Sequence, residues 1–531
     1  MQLPAVRLAK AKGWDVVVAA AAINRQIEAL ADRCEQVDLR DRDEVSRLAR
    51  ALKQEPGLDG IFTAGTDFST TVAWAAEQAG LPGIPYSSAL AATDKARMRA
   101  VFRAAGVPSP SFYTAEKADC SLPAGFGFPL VVKPVDNMGA RGVRRADDER
   151  QLREALEAAL EQSACGQAIV EQYLEGPELS LDAVIHHGGI TVCGVADRHI
   201  CFPPYFVEMG HTMPSALDPD KLRAAEQVFR RGIRALGITN GAAKGDIKIT
   251  PGGAVIGEIA ARLSGGYMSG WTYPLSSGVE VTEAALNIAV GLKPGRLKPT
   301  RSWVSAERAF ISIPGTIRRL QGLEEAGEVS GVLEMFLRVE PGREVALPVN
   351  NMGKCGNIIA AAPSRAAALE SVGEAVRAVL VRLAPENERT DAFLRGGLQS
   401  AFSAYSGLSP AFHASVERMP FRIGDWKRFS GRAEDLLLLE PAGAERETAR
   451  DWHGWTLADA FRRVVQLTGA RVQVSDEAGR MGTGRSQEAL VLGSLFWNAL
   501  LKGGLQAGLY VIDSLCEPSS DPKHVVRRLC G

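Results

Sequence analysis

The sequence predicts a multidomain protein that combines the α/β and α+β fold classes. Three observations support this prediction. The chain has 531 residues, which corresponds to three or four domains at about 150 residues each. Strands and helices alternate over residues 1–92, as they do in a parallel sheet with crossover helices. Over residues 93–300, apolar runs are joined by tight glycine turns, which favours hairpins and antiparallel sheets.

The composition limits the classes of partner. Lys and Arg total 61 and Asp and Glu total 62, so the net charge is −1 and nothing indicates a nucleic-acid partner. The eight cysteines include no CxxC pair, which argues against a zinc knuckle or redox dithiol and favours a reducing, cytoplasmic compartment. The first 23 residues resemble a signal peptide, but Asp15 interrupts their apolar run. No run reaches the roughly 20 apolar residues of a membrane span.

Residues 1–92 are predicted to form one domain around a parallel sheet. The predicted elements are strands over 14–21, 37–39 and 59–64 and helices over 3–12, 42–54 and 70–79. The strand over 14–21 is continuously apolar, as expected of a strand buried on both faces. The chain opens on a helix, so we expect such a unit to lack its first strand, either through truncation or because the sheet is one strand short.

Three further regions are predicted at 93–300, 301–388 and 389–531. Thr93 is predicted to cap a helix over 94–105. The other predicted elements up to residue 300 are strands over 129–134, 168–173, 178–185 and 190–197 and helices over 149–163 and 222–236. Beyond residue 300 we predict strands over 303–311 and 331–339 and helices over 364–383, 456–467 and 486–502. Residues 389–531 carry no recognisable motif.

The strongest local pattern is the hairpin predicted over residues 246–258. With a three-residue loop at 251–253, Asp246 faces Glu258, and Lys248 shares their polar face. Ile247, Ile249, Val255 and Ile259 would form the apolar face. Like charges directly opposite in a ladder are destabilising, and a shared Mg²⁺ removes that cost. The alternative is a solvated face on which Lys and Arg pair with the carboxylates.

Two other segments suit a nucleotide. Lys133 closes an apolar strand beside the glycine-bearing loop Asp136–Gly142, where it could meet a phosphate, although the loop lacks the GK[ST] ending of a Walker motif. The backbone at 172–174, after Glu171, could contact a base edge. An ordinary turn and an ordinary strand connection are the alternatives. His211 lies in a loop with Gly and Pro and could contact a substrate.

In this order, the segments resemble the ATP-grasp superfamily. The similar segments are TDKARM (93–98), FPLVVKP (128–134), DNMGARGV (136–143), VEQYLEGPELSLD (170–182) and DIKITPGGAVIGEIAARLSGG (246–266). Gly265–Gly266 and the GHTMP segment at 210–214 look most like the L-amino-acid ligase, or carboxylate–amine ligase, branch. The resemblance covers residues 1 to about 385. It implies a Rossmann-like domain over 1–92, an ATP-grasp domain over 93–300 and a smaller lid-like domain over 301–388. An additional domain of unknown role would follow over 389–531.

The resemblance implies ATP and Mg²⁺ (or Mn²⁺) as cofactors and assigns roles to individual residues. The implied nucleotide contacts are Lys95, Lys133, Gly139, Arg141, Gly142, Glu171, Gln172, Leu174 and Glu178, with Asp246 and Glu258 as metal ligands and Arg262, Lys248 and His211 as catalytic or substrate-contacting residues. Among the nucleotide contacts, the resemblance implies that Glu171 binds the adenine amino group and that Glu178 holds the ribose hydroxyls. The implied partners are a small carboxylate and an amine, joined through an acyl phosphate, and the chain could form a homodimer. No membrane partner is implied.

Ala260 departs from the family pattern, which often has Asn or Asp two residues after the second metal carboxylate. The metal site could therefore be one ligand short. Two alternative functions remain open from the sequence. One is an ATP-grasp enzyme with another acceptor, similar to a carboxylase or a carbamoyl-phosphate enzyme. The other is a nucleotide-binding regulatory protein without turnover.

Overall fold

The chain divides into two units. The computed structural model describes residues 2–55, 57–119, 122–396, 402–422, 429–441, 443–475, 490–519 and 521–530. Unit 1 contains residues 1–307, 349–351 and 359–369, and unit 2 contains residues 308–348, 352–358 and 370–531. The finer division at residues 92, 300 and 388 stays a prediction.

Unit 1 holds the elements up to residue 307. Its helices are α1 (Leu3–Ala11), α2 (Arg25–Glu28), α3 (Arg42–Gln54), α4 (Ser69–Gln78), α5 (Tyr86–Thr93), α6 (Lys95–Ala104), α7 (Glu149–Gln162), α8 (Pro219–Ala235), α9 (Tyr273–Ser277) and α10 (Val281–Ala289). Its strands are β1 (Val17–Ala20), β2 (Arg33–Gln36), β3 (Phe112–Ala115), β4 (Leu130–Pro134), β5 (Arg144–Ala146), β6 (Ala168–Gln172), β7 (Glu178–His186), β8 (Gly189–Cys201), β9 (Val207–Met213), β10 (Gly241–Thr250) and β11 (Gly253–Ala260).

The N-terminal region has less sheet than the sequence predicts. Strands β1 and β2 pair in parallel, and the side chains of β1 are half-buried rather than buried on both faces. The second strand lies four residues earlier than the predicted 37–39. The predicted strand over 59–64 is absent from the ladders of the described residues, where only Ala64 pairs, with Leu263. A Cβ on Gly60 would lie 2.1 Å from the carbonyl oxygen of Ala289, so close packing rather than pairing fixes this segment.

A four-stranded antiparallel sheet in the order β3-β6-β4-β5 forms one layer of unit 1. Helix α7 covers it and buries Leu152, Leu156 and Ala159 against Leu130 and Val170. The apolar spacing of α7 therefore produces the predicted amphipathic helix, which ends one residue earlier than expected. Lys133 and Glu171 belong to β4 and β6, so this layer positions two of the predicted site residues.

A second antiparallel sheet contains β11, β10, β7, β8 and β9 in that order. Helices α6 and α8 pack on it, and their core includes Phe102, Phe229, Ile247 and Ile259. Asp94 caps α6 by accepting a hydrogen bond from the backbone of Arg97, and the predicted cap Thr93 instead ends α5.

Unit 2 holds the later elements. Its helices are α11 (Leu323–Glu328), α12 (Arg365–Ala378), α13 (Glu388–Arg395), α14 (Pro410–Glu417), α15 (Leu457–Thr468), α16 (Gly493–Leu515) and α17 (Pro522–Cys530), the first residues of α12 belonging to unit 1. Its strands are β12 (Val304–Phe310), β13 (Gly315–Gln321), β14 (Val332–Leu337), β15 (Glu344–Val345), β16 (Gly356–Ala362), β17 (Leu380–Leu383), β18 (Phe421–Arg422), β19 (Leu436–Glu440), β20 (Arg471–Val474) and β21 (Leu490–Leu492), β12 and β16 being shared with unit 1.

One C-terminal prediction needs correction. The helix predicted over 364–383 ends at Ala378, because residues 380–383 pair with β13 as strand β17. The predicted helix end at Lys502 agrees with the structure, because the helical geometry of α16 is interrupted at Gly503 and Gly504 before a second helical segment continues to Leu515. The predicted start of that helix at Ser486 lies outside the described residues. In the parts of the chain that the structure describes, no helix is both long and apolar enough to cross a membrane.

The close approach of α8 to β10 generates a stability prediction. A Cβ on Gly245 would lie 2.6 Å from the buried ring of Phe229. We therefore expect Gly245→Ala to lower the free energy of unfolding by about 1–3 kcal/mol through overpacking. Gly127→Ala is the matched control, since a Cβ there meets nothing within 4 Å, and its effect should stay within about 0.5 kcal/mol. Urea unfolding of both variants measures the difference, and equal effects would contradict the packing argument.

Candidate functional site

A cavity of about 140 Å³ lies in unit 1. Ten of the predicted site residues line it: Lys95, Lys133, Gly139, Glu171, Gln172, Leu174, Glu178, Asp246, Lys248 and Glu258. Apolar side chains of Val131, Ile200 and Phe206 also line it. The lining thus combines charged groups with apolar side chains, as a site for a base and a polyphosphate requires. Arg141, Gly142, His211 and Arg262 lie outside its lining.

The hairpin β10–β11 places the two acidic residues opposite each other, by a different route from the one predicted. Thr250 pairs with Gly253, so the loop has two residues and not three. Gly257 is then an extra residue in β11, and this bulge restores the pairing of Asp246 with Glu258. Val255 does not lie on the predicted apolar face: it lies opposite Lys248, and Ile256 is the buried residue instead.

Asp246 is held by three neighbours. One oxygen accepts a hydrogen bond from the Ser180 hydroxyl at 3.2 Å. The other lies 2.5 Å from Lys244 Nζ and 3.1 Å from a terminal nitrogen of Arg198. Burial opposes ionisation, but Arg198 and Lys244 together hold the pKa of Asp246 below its ordinary value. This carboxylate is therefore ionised at neutral pH.

Arg198 joins carboxylates from three strands. It forms ion pairs with Glu178 of β7 and Glu208 of β9 in addition to Asp246 of β10, and its nitrogen Nε lies 2.8 Å from Glu208. Burial opposes its charge, but these acids raise its pKa well above the ordinary value. The guanidinium therefore remains charged and fixes the relative positions of the three acids.

Glu258 is the less constrained metal candidate. Its carboxylate lies 3.8 Å from Lys95 Nζ, and its side chain is about one-third exposed. Lys95 also donates a hydrogen bond to the carbonyl of Asn137 at 2.6 Å. Burial opposes ionisation, but Lys95 lowers the pKa of Glu258. A cation could therefore reach two ionised, adjacent carboxylates here.

Glu171 is paired inside the protein. Arg99 Nε and Lys133 Nζ each lie 2.7 Å from one of its oxygens, and the residue is only 1% exposed. Burial alone would raise its pKa, but the two cations lower it to about 2. The carboxylate therefore fixes the position of Lys133. If Glu171 also contacts an adenine amino group, as expected, the adenine must share carboxylate oxygens that already accept from Arg99 and Lys133.

The rim of the cavity carries the expected ribose carboxylate. Glu178 Oε2 lies 3.4 Å from Lys248 Nζ. The ring of Tyr173 faces Lys248 at 5.8 Å and Arg145 at 4.5 Å. Cations over an aromatic face are attracted to it, so Tyr173 holds basic groups beside the rim.

The glycine-bearing loop is folded against its own surroundings. Arg141 lies 2.5 Å from Asp67 and donates to the carbonyl of Met138, so its side chain is engaged by these two partners and does not line the cavity. A Cβ on Gly142 would lie 2.9 Å from Pro134 and 3.0 Å from Gln162. Gly142 thus permits close packing of the loop, whereas Gly139 lines the cavity.

His211 and Arg262 each have separate partners outside the cavity lining, and His211 lies in strand β9 rather than in the predicted loop. His211 Nδ1 lies 3.1 Å from Glu307, and Nε2 lies 3.5 Å from Glu208. Gly266 permits this packing, since a Cβ there would lie 2.7 Å from a Glu208 oxygen. Arg262 donates to the carbonyls of Thr66 and Leu263 at 3.0 and 2.8 Å.

Several residues of the site are not among those predicted from the sequence. Arg99 lies one helical turn after Lys95, and Lys244 lies two residues before Asp246 on the same strand face. Helix and strand periodicity could therefore have placed both beside predicted site residues. Glu208 precedes His211 by three residues. Arg198 and Glu307 had no comparable signal, because their partners lie on other strands.

The residues present fit a divalent cation bound together with phosphate. Mg²⁺ typically takes one or two carboxylates and completes its shell with water and phosphate oxygens. Asp246 and Glu258 supply two. No group of three or more His, Cys, Asp or Glu residues suitable for a metal occurs among the described residues, and Ala260, opposite Lys244, adds no ligand.

Two family models match the chain. The ATP-grasp domain model matches residues 126–270, and the model for L-amino acid ligase C-terminal domain 2 matches residues 309–384. The first match contains Lys133, Glu171, Asp246, Glu258 and Arg262. The second lies within unit 2.

Individual proteins and solved structures also match the chain. "Uncharacterized protein y4rH" of Sinorhizobium fredii is 28% identical over 66% of this chain and 72% of its own length. Carnosine synthase 1 of Mus musculus is 28% identical over 60% of this chain, which spans only 41% of that protein. The crystal structure of an L-amino acid ligase from Bacillus licheniformis matches with a TM-score of 0.64 at 22% identity, covering 72% of this chain and 95% of that one. This last likeness establishes the shared fold.

The ion pairs of Glu171 generate a pH prediction. Its folded-state pKa of about 2 lies below the ordinary value of 4.5, so the stabilisation is complete above pH 4.5 and is lost as the pH falls toward 2. We expect Glu171→Gln to lower the unfolding free energy by about 3 kcal/mol at pH 7, with the difference from wild type shrinking below pH 4.5. Urea unfolding over a pH series measures it. The exposed Glu175→Gln is the control, and a pH-independent difference would contradict the assignment.

Proposed function

Since the chain belongs to the ATP-grasp superfamily, we propose that it is an ATP-dependent ligase that joins a small carboxylic acid to an amine. The acid would be an amino acid or a similar small acid. ATP and Mg²⁺ would be its cofactors, as the resemblance to ATP-grasp enzymes implies. The match of residues 309–384 to an L-amino acid ligase domain supports the carboxylate–amine branch over other acceptors.

One observation carries the proposal. Two ionised carboxylates, Asp246 and Glu258, face each other on neighbouring strands, and the amino groups of Lys95 and Lys133 line the same cavity. Carboxylates that hold a cation, beside amines that neutralise phosphates, suit phosphoryl transfer, in which positioning and charge neutralisation supply most of the catalysis. If these ion pairs were only structural, the apolar side chains of Val131, Ile200 and Phe206, which could pack against a base, would not be needed beside them.

In the first proposed step, an oxygen of the substrate carboxylate attacks the γ-phosphorus of ATP. The bond between this phosphorus and the β,γ-bridging oxygen breaks, which gives an acyl phosphate and ADP. Lys95 and Lys133 would bind phosphate oxygens, and Arg262 would stabilise the negative charge of the transferring group. Asp246 and Glu258 would hold Mg²⁺, which neutralises phosphate charge when bound.

In the second proposed step, the amine nitrogen attacks the acyl carbon. The bond from that carbon to the phosphate oxygen breaks, phosphate leaves and the nitrogen loses a proton, so the products are an amide, ADP and phosphate. Water would hydrolyse the acyl phosphate, and the loop Asp136–Gly142 is suited to exclude it because Gly139 lines the cavity.

The buried cluster of His211, Glu208 and Glu307 would bind the small-molecule substrates. Glu208 belongs both to this cluster, through His211, and to the cation cluster, through Arg198. Glu208 alone would therefore separate a substrate bound at His211 from Arg198, the cation that contacts the metal ligand Asp246. A homodimer stays a prediction from the family resemblance.

The direct test measures phosphate and ADP release from Mg-ATP with amino acids offered singly and in pairs. We expect release that requires one acid and one amine, and a loss of at least about a hundredfold in Glu258→Gln. Glu157→Gln, an exposed carboxylate on α7, is the matched control and should retain wild-type rates.

The products separate the alternatives. Release of AMP and pyrophosphate would overturn the acyl-phosphate route. Tight ATP binding without turnover for any acid, together with unchanged binding in Glu258→Gln, would favour a regulatory nucleotide-binding protein.

The position of His211 generates a separate kinetic prediction. We expect His211→Asn to raise the KM for the acid or the amine by about tenfold, through the loss of one hydrogen bond to a charged group. The KM for ATP should change less than about twofold, because His211 lies outside the nucleotide cavity. Steady-state kinetics with each substrate varied in turn measure both values. An equal rise in the KM for ATP would contradict the assignment.

A further inference from the structure

Unit 2 contains a cavity of its own. It has a volume of about 360 Å³ and lies among α13, α14, α16 and α17. Leu394, Phe421, Leu495, Val511 and Leu529 supply apolar surface. No part of the proposed ligase chemistry uses these residues, and the matched family segments end before them.

A buried lysine lines this cavity. Lys502 is 2% exposed and sits on α16 immediately before the Gly503–Gly504 bend. Its ammonium donates a hydrogen bond to the carbonyl of Gly396 and lies 5.1 Å from the ring of Phe393. Among the described residues, no carboxylate lies within 4.0 Å of it.

The lysine is only partly satisfied by these neighbours. An ammonium has three donors, and one carbonyl accepts one of them. Gly396 follows the last turn of α13, so Lys502 also benefits from the negative end of that helix. Taking an ammonium out of water without a paired anion still costs several kcal/mol. Burial accordingly lowers the pKa of Lys502.

We propose that this cavity binds a small organic acid whose carboxylate pairs with Lys502 and whose apolar chain lies against the aliphatic and aromatic wall. An anion removes the cost of the unpaired charge, and the wall favours an apolar tail over a purely ionic ligand. Arg395 and Glu417 also line the cavity: Arg395 adds a second positive charge that favours an anion, and Glu417 disfavours an acid whose second charge would lie beside it. A volume of this size accommodates a short-chain monocarboxylate.

The test uses hexanoate as the probe and hexanamide as its uncharged counterpart, with the full-length protein and no ATP. We expect saturable one-to-one binding of hexanoate by titration calorimetry and at least about tenfold weaker binding of hexanamide. Lys502→Met, which keeps the chain length and removes the charge, should weaken hexanoate binding at least about tenfold. Lys221→Met, an exposed lysine on α8, is the matched control and should bind hexanoate as wild type does.

A second variant keeps the test decisive if Lys502→Met does not fold. Ser494→Phe fills the cavity and retains the lysine, so it should also weaken binding at least about tenfold. Absence of saturable binding at millimolar hexanoate, or equal affinity in wild type, Lys502→Met and Ser494→Phe, would overturn the proposal.

Discussion

Charge compensation across strands is the interaction on which the rest of the site depends. Glu178, Glu208 and Asp246 come from three strands, and one guanidinium, that of Arg198, contacts all of them. Burying three carboxylates without that cation would cost several kcal/mol for each, more than a marginally stable domain can lose. Arg198 therefore compensates acids from three strands of one sheet at once, together with Lys244 at Asp246 and Lys248 at Glu178. Its contacts also explain why Asp246 stays ionised despite burial.

The hairpin that presents Asp246 and Glu258 shows how much of the site the sequence could predict. Alternation and the Pro251–Gly252–Gly253 turn were sufficient to bring the two carboxylates together. They were insufficient to fix the register, because a loop shorter by one residue and a bulge at Gly257 compensate for each other. Only Val255 and Ile256 reveal the difference, because each lies on the opposite face of the hairpin from the one predicted. A two-residue period cannot reveal a bulge, since the residues on either side of it each keep their own alternation.

Elsewhere too, elements set by a local apolar pattern are predicted correctly, whereas those that depend on distant partners are not. Helices with a clear apolar face, such as α3 and α7, begin and end within about one residue of their predicted bounds, because burial of that face dominates local preference. The strand predicted over 59–64 fails for the opposite reason: apolar composition permits a strand, but pairing needs a neighbouring ladder. Arg198 and Glu307 follow the same rule, since their roles come from residues 10 to 96 positions away.

The ion pairs also constrain how a nucleotide could bind. The cavity of about 140 Å³ is smaller than the sites of most drug-sized ligands, and its charged groups already contact one another. A bound polyphosphate would therefore exchange partners with the protein. Lys95 is central to this exchange because it contacts the carbonyl of Asn137 in the glycine-bearing loop and lies 3.8 Å from Glu258. Under the proposed function, a turn of Lys95 toward a phosphate would break its contact with the loop and leave Glu258 free to take a cation, so that phosphate binding, loop position and metal affinity would be linked through one ammonium group.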